Sequence, residues 1–111
     1  MTKKVWYLVE NTRPRMYDCV RLHKEHGYYS IYRCIEDWDE DGDDSPYNVE
    51  EYLNLIPDTN LQQAIGATTD NEVVRWVKKH LINDQSNSLD AIEEFLKDRN
   101  IHFTYSSEYT C

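Results

Sequence analysis

The segment from residue 16 to residue 35 constrains the fold more than any other. MYDCVRLH (16–23) and YYSIYRCI (28–35) each alternate in character from one residue to the next, and KEHG separates them. A period of two marks a strand, and Gly27 supplies the positive φ that a tight hairpin turn needs. A two-residue His26-Gly27 loop then sets the register, with Cys19 opposite Cys34, Arg21 opposite Tyr32 and Leu22 opposite Ile31. In that register Val20, Leu22, Tyr29 and Ile31 share a face expected to meet the core. Cys19, Arg21, His23, Tyr28 and Tyr32 take the other face.

KVWYLV (4–9) reads as a preceding strand, and Asn11 to Arg15, with Pro14, as a turn. Helical spacing is expected after residue 45. Ser45 is a suitable N-cap and Pro46 a suitable first helical residue, and Val49, Tyr52, Leu53 and Ile56 recur at i, i+3, i+4 and i+7 before Pro57. A short helix from about Thr59 to Ile65 should close at Gly66. Thr69-Asp70-Asn71-Glu72 is a capping box leading into the stripe Val73, Val74, Trp76, Val77 and Leu81. Leu89, Ile92, Phe95 and Leu96 mark a last helix ending near Asn100, and IHFTY (101–105) a final strand.

The expected class is α+β, in the order βββααα(α)β. A three- to four-stranded antiparallel sheet with N-terminal hairpins is covered on one face by three or four helices, and the last strand is free to pair with the first. At 111 residues the chain is expected to be one compact domain, 1–111. No apolar run approaches the roughly 18–20 residues of a membrane span, and MTKKVWYLVEN has no signal-peptide core. Cys19, Cys34 and Cys111 are too few and too widely spaced for a disulfide framework, so a cytoplasmic location is expected.

Charge is unevenly distributed. Residues 1–35 carry seven basic and three acidic side chains, a net of +4; residues 36–111 carry five basic and eighteen acidic ones, a net of -13. The total of -9 opposes direct nucleic-acid binding, since phosphates are repelled at long range. Seven of the nine residues from Glu36 to Asp44 are acidic, and the stretch 36–45 is expected to be an exposed loop. Carboxylates spaced along a scaffold occupy the places where a basic partner expects phosphates. The expected partner-binding residues are Asp37, Trp38, Asp39, Glu40, Asp41, Asp43, Asp44, Tyr47, Glu50 and Glu51, with Trp38 and Tyr47 as aromatic anchors and Asp58 extending the acidic surface along the first helix. The competing explanation is a solvated charge run that keeps a small protein soluble.

The same loop carries Asp37-x-Asp39-x-Asp41-Gly42, the opening of a calcium-binding loop, although Asn48 stands where a bidentate Glu belongs. The histidines His23, His26, His80 and His102 form no metal-ligating pair, and there is neither a G-x-S-x-G elbow nor a Gly-rich phosphate loop. Cys19 and Cys34 read as buried apolar residues that can bridge the hairpin under oxidation. Tyr7, Tyr17, Tyr28, Tyr32 and Trp6 interleave with Arg21 and Arg33, a pattern suited to stacking on single-stranded nucleic acid. The expected function is a small non-catalytic inhibitor that needs no cofactor and covers a basic, nucleic-acid-binding surface of a partner protein, of the immunity or phage anti-defence type. A calcium-stabilised or structural interaction module is the alternative, and an enzyme built on His23 with a cysteine or carboxylate ranks third.

Overall fold

The computed structural model describes residues 3–13, 16–37, 47–83 and 89–110. The chain runs β1 (Lys4–Arg13), β2 (Met16–Glu25), β3 (Tyr28–Asp37), β4 (Tyr47–Pro57), α1 (Asp58–Ile65), α2 (Asp70–Asn83), α3 (Asp90–Asp98) and β5 (Thr104–Thr110). All five strands join in one antiparallel sheet, in the order β1-β2-β3-β4-β5.

The β2–β3 register matches the one expected, with Cys19 opposite Cys34, Arg21 opposite Tyr32 and Leu22 opposite Ile31. His26 (φ 55°) and Gly27 (φ 82°) both take the left-handed conformation. This gives the turn a twist that matches the strands it joins. Val20, Leu22, Tyr29 and Ile31 are fully buried on one face, together with Leu53 and Ile56 of β4. Leu61, Val73, Val77, Leu89, Ile92, Leu96 and Ile101 cover them from the helical side. Each element thus buries one face against the other layer, as a two-layer α+β fold requires.

The helix expected between Ser45 and Pro57 is a strand. Ser45 and Pro46 lie outside the described residues, and from Tyr47 onward the chain pairs with β3 along its length. The register slips where Ile31 faces Leu53 and Tyr29 faces Ile56, so that Asn54 and Leu55 together oppose Ser30. Leu55, at φ 59°, absorbs this bulge. A bulge inserts one residue without reversing the strand, so Leu53 and Ile56 both face the core although they are three residues apart. That spacing mimics a helical stripe; of the other two members of the supposed stripe, Val49 shares the face of Leu53 and Tyr52 lies on the opposite one.

Other boundaries moved as well. β1 extends through Arg13, which shortens the turn expected from Asn11 onward. The last strand starts at Thr104 and not Ile101, and it pairs with β4, not with β1. α1 packs on β4 and α2 reaches β1, so the return through α3 brings the chain back to the free edge of β4. Ile101 is buried among the helices as a core residue. The helix ends are as expected: Gly66 closes α1 at φ 72°, and the Thr69 hydroxyl accepts the Glu72 amide at 3.3 Å at the start of α2.

A half-buried polar cluster ties α2 to the sheet. The Tyr29 hydroxyl donates to Asp70 Oδ1 at 2.7 Å and accepts from Gln62 Nε2 at 2.9 Å. Lys24 Nζ lies 2.8 Å from the same carboxylate oxygen and 3.7 Å from Asp58. Burial raises the Asp70 pKa, but the hydrogen bonds from Lys24 and Tyr29 outweigh it and hold the carboxyl below its ordinary value.

Candidate functional site

The expected acidic recognition surface divides into two parts. Trp38, Asp39, Glu40, Asp41, Asp43 and Asp44 lie outside the described residues, as does the calcium-like spacing they belong to. Asp37 and Tyr47 are the last backbone pair of the β3–β4 ladder, so the acidic connection 38–46 leaves and re-enters the sheet at one point. Glu36 is in β3, not in a loop.

Glu50 and Glu51 cannot extend a helical acidic face, because they are neighbours on a strand and point to opposite sides of the sheet. Glu51, on the helix side, is spent on Arg33 at 2.8 Å, with both side chains largely buried. Glu50, on the helix-free side, accepts hydrogen bonds from the Tyr32 and Tyr52 hydroxyls at 3.2 and 3.3 Å. It stands directly opposite Glu108 of β5. Like charges so placed repel.

The helix-free face is where the described chemistry gathers. Tyr7, Tyr28 and Tyr32 lie there with Arg21, as the sequence pattern suggested, and Tyr52 joins them. Trp6 and Arg33 do not. Trp6 packs against the core, and Arg33 is the partner of Glu51. The Arg21 guanidinium sits 4.8 Å from the Tyr7 ring centre and 5.4 Å from that of Tyr32, and the Tyr32 and Tyr52 rings meet at 4.9 Å, tilted by 42°. Planar cations are held well between such ring faces.

A depression of about 640 Å³ opens on this face, near the β2–β3 turn. Its origin is legible residue by residue. Tyr28, Ser30 and Tyr32 alternate on one strand, so two large rings flank one small side chain. His23 is opposite Ser30 on β2, and Asn54 at the β4 bulge completes the floor. Lys3 and Arg21 line the cavity, as does Glu25, which lies 3.9 Å from His26. Sequence reasoning did not assemble Asn54 and Tyr52 with the rest, because they meet it only through the β3–β4 pairing, and it did not single out Ser30. The Tyr-x-Ser-x-Tyr alternation was the available signal.

His23 has its pKa lowered, first by burial and then by the positive charges of Lys3 and Arg21, so the imidazole is neutral near pH 7. Its Nε2 atom is buried and has no hydrogen-bond partner among the described residues.

Cys19 and Cys34 are buried thiols on this face, with their sulfurs 2.8 Å apart. Burial and the neighbouring Cys19 push the Cys34 thiol up to about 12. Such a thiol is a poor nucleophile, since the thiolate is the reactive form. The pair therefore acts as core filling in the reduced protein, in a position to bridge the two strands.

Among the described residues no group of three or more His, Cys, Asp or Glu side chains is placed to hold a metal, and no helix is long and apolar enough to cross a membrane. No family model, curated protein or solved structure matches this chain.

Proposed function

We propose that this chain is a non-catalytic inhibitor whose acidic end docks on a basic, nucleic-acid-binding surface of another protein. The observation that carries the reading is the concentration of carboxylate at one end of one sheet face. Glu36, Glu50 and Glu108 belong to the helix-free side at the end where β3 gives way to the acidic connection and β4 returns. That connection adds Asp39, Glu40, Asp41, Asp43 and Asp44 by sequence. The long β3–β4 ladder is a stiff support for it. The repulsion between Glu50 and Glu108 is a cost that a cationic partner relieves.

The mechanism is occlusion. Carboxylates take the positions of phosphates, draw in the partner's Arg and Lys side chains at long range, and block the channel sterically. Glu50 belongs to this surface; Glu51 does not, because Arg33 neutralises it on the other side of the sheet.

The test replaces Asp39, Asp41, Asp43 and Asp44 together with Asn. Proteins captured from the source cell by the immobilised wild-type chain supply the partner, and its affinity for both forms is measured across a salt series. Affinity is expected to fall at least tenfold, the equivalent of about 1.4 kcal/mol, with a weaker salt dependence. Unchanged affinity and unchanged salt dependence would show that the loop is not the recognition surface.

A further inference from the structure

The depression on the helix-free face lies in the sheet rows near the β2–β3 turn, away from the acidic end, and the inhibitor reading does not use it. We propose that it is a binding site for a nucleoside monophosphate, with the base between the tyrosine rings and the phosphate on the cations at its margin.

Size fits first. A volume of about 640 Å³ lies inside the range of roughly 300–1,000 Å³ typical of small-molecule sites. The walls are aromatic: Tyr28 and Tyr32 stand on either side of Ser30, and Tyr52 adds a third ring. Flat heterocycles stack on such rings whatever their identity. The floor is polar, with the Ser30 hydroxyl, the Asn54 amide and the His23 imidazole. Hydroxyl and amide groups both donate and accept, which suits the mixed edge of a base. The unpartnered His23 Nε2 shows that the hydrogen-bonding capacity of this floor is not used up among the described residues.

Charge selects the anion. Lys3 and Arg21 line the cavity, and Arg21 is held in place by Tyr7 and Tyr32. The lining carboxylate, Glu25, faces His26, and Glu50 sits behind the Tyr32 and Tyr52 hydroxyls. A polymer is disfavoured, because a net charge of -9 and the carboxylates further along the face repel a chain of phosphates. One phosphate on one nucleoside meets only the cationic end.

The experiment titrates the ¹⁵N-labelled full chain with each of the four ribonucleoside monophosphates, with adenosine, with inorganic phosphate and with a single-stranded tetranucleotide. Amide shifts of His23, Ser30 and Asn54 are followed. At least one monophosphate is expected to saturate these shifts with a Kd below about 1 mM, an ordinary affinity for a metabolite-sized ligand. Adenosine and inorganic phosphate should each bind at least tenfold more weakly. Ser30→Tyr, which fills the depression from an outward-facing position, should weaken binding at least tenfold while the thermal midpoint changes little. Arg21→Gln should bring nucleotide and nucleoside to equal affinity.

Four results would overturn the proposal. They are no saturation by any monophosphate at 10 mM, binding that Ser30→Tyr leaves intact, a tetranucleotide bound more than tenfold tighter than its monomer, and self-association that Ser30→Tyr abolishes. The last two assign the face to a polymer and to a second copy of the chain. Each outcome is independent of the acidic loop, so failure here leaves the inhibitor reading to its own test.

Discussion

Asp70→Ala is expected to destabilise the protein by about 2–3 kcal/mol, because it removes the part-buried hydrogen bonds from Tyr29 and Lys24, and a longer, exposed one from Lys4 at 3.5 Å. Tyr29 and Lys24 both reach this carboxylate from the sheet, at 2.7 and 2.8 Å. Without it Lys24, which is largely covered, keeps only Asp58 among the described residues, at 3.7 Å. Asp70 also sits in the first turn of α2, where a negative charge favours the helix. For a domain of this size the thermal midpoint should drop by about 10 °C.

The effect depends on pH in a definite direction. Asp70 has its folded pKa held below the unfolded value of 3.8. Its contribution is therefore complete above that value and is lost as pH falls through the folded pKa. Urea unfolding should show a wide gap between wild type and Asp70→Ala at pH 7, and a clearly smaller one at pH 3. A gap that stays constant with pH would mean that the charge on Asp70 contributes nothing.

Leu53→Ala should cost about 3 kcal/mol, as expected for emptying a fully buried leucine site. Leu55→Ala, two residues on, should stay within about 0.5 kcal/mol, because Leu55 is 53% exposed at the bulge. Leu55→Gly should range from neutral to stabilising by up to about 1 kcal/mol, since a left-handed residue costs less without a Cβ. A regular strand, without the bulge, would give Leu55 the same facing as Leu53 and equalise the two alanine penalties. Denaturant midpoints of the three variants distinguish the cases.

Leu53 and Leu55 also explain where sequence reasoning stopped. The β2–β3 hairpin was legible because its period of two is unbroken and its turn sequence admits essentially one register. The helix boundaries at Gly66 and Thr69 were legible because capping chemistry is local. β4 was not, because its bulge places Leu53 and Ile56 three apart on one face, and only pairing with β3 distinguishes that from a helix. β5 was shifted because Ser106, Ser107 and Glu108 are exposed and so carry no apolar alternation. The candidate cavity draws on β2, β3 and β4, and Asn54 reaches it through the same bulge. Local pattern thus identified Arg21, His23, Tyr28 and Tyr32 as a set but not Asn54 and Tyr52, which join it across the β3–β4 pairing. It also grouped Glu50 with Glu51, which the strand separates.

The two ends of the helix-free face divide the chemistry. Cations and an aromatic cavity occupy the rows near the β2–β3 turn, and carboxylates collect where β3 and β4 meet the acidic connection. The proposed docking surface is the second of these. Its most direct test is a competition measurement with the captured partner, using a fluorescent oligonucleotide bound to the partner's nucleic-acid surface. Adding this chain should displace the oligonucleotide completely, at a concentration set by the chain's own affinity, while the Asp39, Asp41, Asp43 and Asp44 neutralised form should need at least tenfold more. A stable ternary complex of partner, oligonucleotide and chain would contradict it.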